Sequence, residues 1–341
     1  MTGRKARLAA TGSGRALALA VLLGLLVLVA MSAVALGTVA MPFSTITAAI
    51  FRFDGSRDHL LVTAIRLPRV LAALLAGSAL AVSGAIMQAV TNNPLASPGL
   101  LGINAGAAFT VVCVMTLFGA GIGDVYVWFA FLGAGLAAIV VYALGSLGAV
   151  GHSPLGLVLA GAIVATFLTS LTTAILVFDQ STLDAVRFWT AGSVTGRTMA
   201  QVATVAPYIL TGLVAALLLG RQLTTLSLGT DRARALGQNP AMWRGAAVAI
   251  VILLAGGAVA LAGPIGFVGL VVPHIVRLCI GVDYRWIIPF SALGGALLVV
   301  VADTAGRLVF ASQSFPVGVT IALVGAPFFL YLARTRLRGE A

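Results

Sequence analysis

The sequence predicts an all-α integral membrane protein with about ten transmembrane helices. Of its 341 residues, 60% are hydrophobic and only 9% are charged, whereas a soluble domain usually carries about 25% charged residues. A soluble fold of this length has no way to bury so much apolar surface, so a multi-pass membrane protein is the expected class. The apolar segments are continuous rather than alternating in hydrophobicity, which indicates that the spans are helices.

Apolar stretches of about 20 residues, enough for a helix to cross a bilayer, recur along the whole chain. The eighth of them is short for a full crossing and contains Pro273, a residue that can interrupt a helix. The predicted spans are residues 16–36, 60–90, 98–118, 125–147, 155–178, 201–220, 243–262, 266–280, 286–308 and 317–333.

Basic residues predict how the chain is oriented. The first span follows a basic tail, residues 1–15, and is longer than the apolar region of a signal peptide, so it is expected to remain as a membrane helix. Ten spans that begin in the cytoplasm also end there, with a second basic tail at 334–341. Most of the 20 lysine and arginine residues then lie on the cytoplasmic side, as expected for a bacterial cytoplasmic membrane protein. The net charge of +11 is therefore attributed to these loops and not to nucleic-acid binding.

A polar insert, LGTDRARALGQNP at residues 228–240, interrupts the apolar pattern within the longest cytoplasmic loop, about residues 222–242. The small and apolar residues from Ala233 to Gly237 predict a short helix that ends at Gly237, with Pro240 beyond it. A short helix that exposes small residues is a candidate for contact with another protein. A solvated connecting loop is the alternative.

Histidine and cysteine do not form patterns typical of a metal or redox site. His59, His152 and His274 are scattered and lack metal-ligand spacing. Cys113 and Cys279 are predicted to be isolated, buried side chains. No nucleophile and base occur at a suitable spacing, so we expect no catalytic residue, no metal and no cofactor bound by this chain.

The sequence also lacks a phosphate-binding P-loop, which requires a Gly-Lys-Ser/Thr ending. The only lysine is Lys5, which lies between Arg4 and Ala6. If transport is driven by ATP, a separate chain must hydrolyse it.

Four blocks, in order and at matching spacing, resemble one family. They are RLPRVLAALLAGSALAVSGAIMQAVTNNPLASPGLLGINAGAA at 66–108, the polar insert, GPIGFVGLVVPHIVRL at 263–278, and a block from ADTAGR at 302–307 to FPVGVTIALVGAPFFLYL at 315–332. They are similar to the FecCD/BtuC-type permeases, the transmembrane subunits of bacterial type II ABC importers for iron–siderophore complexes, haem and vitamin B12. The resemblance covers nearly the whole chain. Ser97 and Ser314 depart from it, since family members often carry acidic residues there.

The resemblance implies a single permease domain, residues 1–341, with a BtuC-like fold that works within an assembly. Expected partners are a second permease subunit, identical or paralogous, two cytoplasmic ATP-binding-cassette ATPases, an extracytoplasmic substrate-binding protein and membrane lipid. The ATPases would hydrolyse the ATP. An iron–siderophore complex is the expected cargo, with haem and vitamin B12 as alternatives.

The resemblance also assigns expected roles to residues. Arginines at the outer ends of two spans would dock the substrate-binding protein: Arg66, Arg69 and Arg307. Asp303 lies four residues before Arg307 and is an alternative partner for it on the same helix. Pro68 suits a first helical turn. The coupling residues that would contact the ATPase are Asp231, Arg232, Ala233, Arg234, Ala235, Leu236 and Gly237.

Two breaks in the helical pattern are candidate gate or hinge elements. One is NNPLASP, with Asn93 and Pro94, and the other is GPIGF, with Gly263, Pro264 and Gly266. Such breaks are tolerated in a membrane only where the backbone is buried in protein or lines a cavity. An ion-coupled secondary transporter is a rival function, but it would require functional carboxylates within the spans.

Overall fold

The computed structural model describes residues 12–37, 40–119, 125–146, 154–310 and 315–337, and all regular secondary structure in these ranges is helical. Most of the predicted tail 1–15, the end of the tail 334–341, and Ser314 lie outside the described residues. The first helix begins at Gly12, so Arg15 belongs to that helix and not to the tail.

The helices are labelled in chain order. They are α1 Gly12–Ala35, α2 Phe43–Phe51, α3 Arg57–Thr91, α4 Ile103–Phe118, α5 Tyr126–Ser146, α6 Pro154–Phe178, α7 Gln180–Thr190, α8 Met199–Leu218, α9 Gly220–Leu226, α10 Thr230–Ala235, α11 Pro240–Ala262, α12 Val268–Ile280, α13 Tyr284–Val309 and α14 Val317–Leu337.

The predicted number of spans agrees with these helices. In the described part of the chain, seven helices are long and apolar enough to cross a membrane, and α4, α12 and the start of α14 are shorter apolar helices. The short predicted span 266–280 is α12, which has 13 residues and continues through Pro273. At 1.5 Å per residue it is about 20 Å long, less than the roughly 30 Å hydrocarbon core, so α12 alone does not span that thickness.

Helix α3 lies at the centre of the bundle. It packs against α8, α11, α12 and α13, and 78% of its most apolar stretch is buried, against 17% for α1 and for α6. The bundle therefore consists of a protein-enclosed helix surrounded by others, and the apolar surfaces of α1 and α6 are largely exposed outside this chain.

A π turn at Leu61–Arg66 joins the two α-helical parts of α3. Within it the Leu67 N–H donates to the carbonyl of Val62, five residues earlier. Pro68 is in the first turn of the α-helical part that follows, as predicted, but the helix as a whole begins earlier, at Arg57. Proline has no N–H for the α-helical ladder, and the π turn lets the helix continue past it.

Glycines bring the backbone of α3 into direct contact with its neighbours. A Cβ placed on Gly84 would lie 1.9 Å from the carbonyl oxygen of Gly269, and one on Gly77 would lie 2.3 Å from that of Gly295. Contacts this short leave no room for any side chain. These glycines therefore serve helix packing, which small residues promote in membranes.

The prediction that both cysteines are buried is wrong. Cys113 is half-buried and Cys279 is exposed, and both are free thiols. Apolar neighbours in sequence do not reveal which side of a helix packs inside the chain, and Cys279 lies on the exposed side.

Gly84→Ala is expected to destabilise the protein by about 1–3 kcal/mol, the usual cost of overpacking a tight core. Gly24→Ala is the matched control, because a Cβ on Gly24 meets nothing within 4 Å and alanine favours helix. The thermal denaturation midpoint of the detergent-solubilised protein should fall for Gly84→Ala only. Equal midpoints for the two variants would contradict the packing role.

Candidate functional site

The predicted loop at about residues 222–242 is mostly helical. It contains the end of α9, all of α10 and the start of α11. Helix α10 ends as predicted, because Gly237 has a φ of +78° and its N–H donates to the Arg234 carbonyl at 2.9 Å. The Gln238 N–H donates to the Ala233 carbonyl at 2.9 Å, which completes a Schellman cap.

Most of the predicted coupling residues lie on one exposed surface. Asp231 lies in the first turn of α10, where a carboxylate interacts favourably with the helix dipole. Ala233 is the exception, because it is completely buried and packs inside its own chain. The six exposed members are Asp231, Arg232, Arg234, Ala235, Leu236 and Gly237.

Exposed apolar side chains surround α10, and sequence reasoning missed two of them. Leu236 is 66% exposed, and Leu228 and Met242, which flank α10 in the chain, are 46% and 56% exposed. Apolar side chains grouped with charges on a segment outside the long apolar spans are typical of a protein-contact surface. Leu228 begins the insert and Met242 lies two residues beyond it, so both could have been found by extending the candidate set past α10 in both directions.

At the opposite end of the bundle, Arg69 and Arg307 share one buried carboxylate. The Arg69 guanidinium donates from Nε and Nη2 to both oxygens of Asp303, at 2.8–3.2 Å. Arg307 Nε lies 3.3 Å from Asp303 Oδ2. The Asp303 side chain is 3% exposed, and those of Arg69 and Arg307 are 13% and 15% exposed.

Arg66 and Arg307 also cap the end of the first helix. Arg66 Nη1 donates to the carbonyls of Val34 and Ala35, at 2.8 and 2.9 Å. Arg307 donates to the carbonyls of Ala33 and Leu36, at 3.0 and 3.2 Å. These carbonyls belong to the last turn of α1, where helices lack internal partners, and basic side chains stabilise that end.

The structure thus brings the three predicted docking arginines together, but each of them also forms hydrogen bonds or ion pairs within its own chain. Three guanidinium charges face two carboxylates, Asp303 and, near Arg66, Asp58, so the group keeps an excess of positive charge. The pairing between Asp303 and Arg307 that sequence spacing offered is present, and Arg69 joins it from a distant part of the chain.

The NNPLASP break forms a defined turn after α3. Asn92 ends α3 in the left-handed conformation, with a φ of 51°. The side chain of Asn93 accepts from the Leu95 N–H at 2.9 Å, and its carbonyl accepts from the Ala96 N–H at 3.1 Å. Pro94 follows as part of the same turn, so this candidate gate element is an ordered turn.

The GPIGF break is enclosed by backbone on one side. Gly263 has a φ of +71°, and a Cβ there would lie 2.0 Å from the Trp189 carbonyl oxygen. The carbonyl oxygen of Pro264 approaches Gly192, whose own Cβ would lie 2.7 Å from it. Gly266 is exposed with open space around it, so packing does not require glycine at that position.

Phe267 is a strained residue that the sequence did not predict. Its φ is 65°, which is unfavourable for a bulky L-residue. Its carbonyl accepts from the N–H groups of Leu270 and Val271, at 3.1 and 2.8 Å, and so starts α12. A Cβ on Gly325 would lie 2.7 Å from the Phe267 Cβ, so the strained residue packs directly against α14.

Asp303→Asn is expected to destabilise the protein by about 3 kcal/mol, because it leaves two buried arginines without a counter-charge. Asp184→Asn is the control. It removes one partner of the exposed Asp184–Arg187 pair, whose side chains are 54% and 59% exposed, and should change stability by no more than about 0.5 kcal/mol. The thermal denaturation midpoints of the two variants test this difference in stability. A normal midpoint for Asp303→Asn would rule out a structural role for the pair.

Comparison with known proteins agrees with this architecture. The probable siderophore transport system permease protein YfiZ of Bacillus subtilis (strain 168) is 45% identical over 282 residues, covering 83% of this chain and 85% of that protein. The ferric enterobactin transport system permease protein FepD of Escherichia coli (strain K12) is 40% identical over 327 residues, covering 96% and 98%.

A solved structure of an inward-facing transporter, assigned to the metal-chelate ABC type, superimposes with a TM-score of 0.82 at 26% identity. The match covers 93% of this chain and 98% of that one. The sequence profile of the FecCD transport family matches residues 24–335. With a match over nearly the whole chain and relatives this similar, the protein belongs to the FecCD transport family.

Proposed function

We propose that the chain, a permease subunit of an ABC importer, moves an iron–siderophore complex inward across the cytoplasmic membrane by alternating access. This proposal rests on the exposed surface of α10, because that surface is available for contact with a separate ATPase. The names of the relatives, a siderophore and a ferric enterobactin permease, support the cargo class. Haem and vitamin B12 are the alternatives within the same family.

The ATPase contact is assigned to the exposed residues of α10 and its flanks. Arg232 and Arg234 can pair with acidic groups on a partner, but exposed pairs contribute only about 0.2–1 kcal/mol each. Leu236 and Met242 are large, apolar and exposed, so their burial would contribute more. The chain itself has no P-loop, and two ATPase subunits supply the energy in this proposal. Both termini of the chain are then cytoplasmic.

The outer arginine group is assigned to docking of the substrate-binding protein. Its excess positive charge attracts carboxylates, and such charges steer encounter and set register more than they add affinity. Since Asp303 already fixes Arg69 and Arg307, the arginines present a preorganised surface. Docking carboxylates would add to this network instead of ordering flexible side chains.

The second permease subunit is assigned to the outer face of α6 together with α14. Both helices lie at the periphery, where Ile163, Phe167, Leu323 and Val324 are all exposed by 60% or more. A cargo path between two such subunits would pass the turns at Asn93 and Pro94 and at Gly263 and Pro264. Whether the second subunit is identical or paralogous, the same faces would be used.

An ion-coupled secondary transporter is less well supported. The carboxylate that such a mechanism would use within a span is Asp303, which is held by two arginines. A carboxylate held by two arginines is suited to a structural role. Coupling to protons or sodium requires a carboxylate that can exchange its partners.

Deleting the gene is expected to abolish uptake of labelled ferric siderophores while uptake of haem and cobalamin continues. Expression of this chain in the deletion strain should restore uptake of the ferric siderophores. Uptake should survive a protonophore when the ATP level is held constant, because ATP and not the ion gradient drives it. A defect confined to haem or cobalamin would overturn the cargo, and loss of uptake with the protonophore would favour the secondary transporter.

Gly237→Trp is expected to reduce uptake about ten-fold, a change worth roughly 1.4 kcal/mol. A Cβ at Gly237 meets nothing within 4 Å in its own chain, so the new ring projects toward the ATPase. Gly237→Asn controls for backbone strain, because asparagine tolerates the left-handed cap conformation. Uptake and assembly with the ATPase are measured together. Normal uptake by an assembled Gly237→Trp complex would argue against α10 as the contact.

A further inference from the structure

A continuous set of hydrogen bonds crosses the α10 end of the bundle (the inner polar chain: Thr224, Tyr284, Arg277 and Gln88). The Thr224 hydroxyl, on α9, accepts from the backbone N–H of Tyr284 at 2.9 Å. Arg277, on α12, donates to the Tyr284 phenol oxygen at 3.4 Å and to Gln88 Oε1 on α3. Four helices, α9, α13, α12 and α3, are thereby connected.

Two members of the inner polar chain are almost completely buried. Gln88 and Tyr284 are each 2% exposed, and polar groups buried to this extent are normally hydrogen-bonded. Gln88 also donates from Nε2 to the Gly269 carbonyl at 3.3 Å, which fixes the orientation of its amide. The position of the Arg277 guanidinium is therefore set by buried groups of α3 and α13.

Arg277 is held by the neutral acceptors Tyr284 and Gln88. Within the described residues, no carboxylate pairs with it. The nearby Asp283 is instead paired with Arg285 at 2.7 Å, and the hydrogen bond from Arg285 holds the pKa of the Asp283 carboxyl below its usual range. Hydrogen bonds to neutral acceptors are weaker than those to a carboxylate, so Arg277 can exchange them at lower cost.

Space for such an exchange lies beside the guanidinium. A cavity of about 270 Å³ is lined by Arg277, Gln88 and Tyr284 together with Asn92, Ser227 and others. Asn92 and Ser227 offer alternative acceptors on the turn after α3 and on the segment between α9 and α10. If the guanidinium moved to these acceptors it would have two discrete arrangements, as transmission between sites requires.

The inner polar chain lies between the two elements that transport must connect. Helix α10 packs on α9 and α11, and α9 packs on α13 and α3. Helix α3 ends at Thr91, directly before the turn that contains Asn93 and Pro94. A displacement of α9 by an ATPase would reach Arg277 through Thr224 and Tyr284, and would reach the turn through Gln88.

We propose that Arg277 is a positioning residue that couples the ATPase-contacting helices α9 and α10 to the turn after α3, through its hydrogen bonds with Tyr284 and Gln88. This inference rests on the proposed function, because it assumes that an ATPase moves α10. It adds residues outside the polar insert to the coupling machinery, and it predicts that their loss separates ATP hydrolysis from transport.

The test uses the full complex, with its ATPase and binding protein, reconstituted in proteoliposomes, and it measures cargo transported per ATP hydrolysed. Tyr284→Phe and Gln88→Met each remove one partner of Arg277 and should lower this ratio about five-fold, the factor expected for one hydrogen bond. The double variant should lower it by less than the product of the single effects, because both partners act through one residue. Arg277→Lys should retain more coupling than Arg277→Met.

Tyr208→Phe is the matched control, because it makes the same chemical change on α8, where the ring packs against Trp128 and Phe131. A purely structural defect would reduce the amount of complex and lower both activities together, leaving the ratio unchanged. The inference is overturned if assembled Tyr284→Phe and Gln88→Met complexes keep the wild-type ratio, or if Tyr208→Phe lowers it equally. Absence of ATP-dependent uptake by the wild-type complex would instead refute the proposed function.

Discussion

Close packing of backbone around α3 is the constraint on which the rest of the structure depends. Apolar side chains gain little by exchanging lipid for protein, so helices in a membrane associate through tight packing and hydrogen bonds. Gly77 and Gly84 admit the backbones of α13 and α12 at distances that no side chain would permit. Because α3 also carries Arg69 near one end and Gln88 near the other, its placement brings together the polar groups at both ends.

The two ends of the bundle use polar groups in different ways. At one end, buried Asp303 is paired with two arginines, and arginines cap the last carbonyls of α1. Removing any partner would leave a buried charge, so these contacts are costly to break. At the other end, Arg277 is held by neutral acceptors beside a cavity, an arrangement that can change without separating an ion pair. In the proposed function, an end held by ion pairs suits docking, and an end held by exchangeable hydrogen bonds suits the ATPase contact.

Much of the candidate site follows from local sequence. The end of α10 was predictable because a left-handed cap favours glycine, and Gly237 adopts that conformation. The pairing of Asp303 with Arg307 was available from helical spacing. The burial of Ala233 could not be predicted from local sequence. It depends on which side of α10 packs against the rest of the protein. The pairing of Arg69 with Asp303 joins residues 234 positions apart, and no local pattern encodes such a contact.

The sequence by itself determined that the chain is a bundle of about ten apolar helices, because the length of an apolar stretch and the bilayer thickness are sufficient to define a span. With its motifs, it also indicated the family. Only the tertiary structure decided that strained Phe267 precedes α12, that Arg66 and Arg307 cap α1, and that Arg277 meets Gln88. Each of these depends on which helix surfaces meet, and close approach of backbones, not hydrophobicity, selects those surfaces in a membrane.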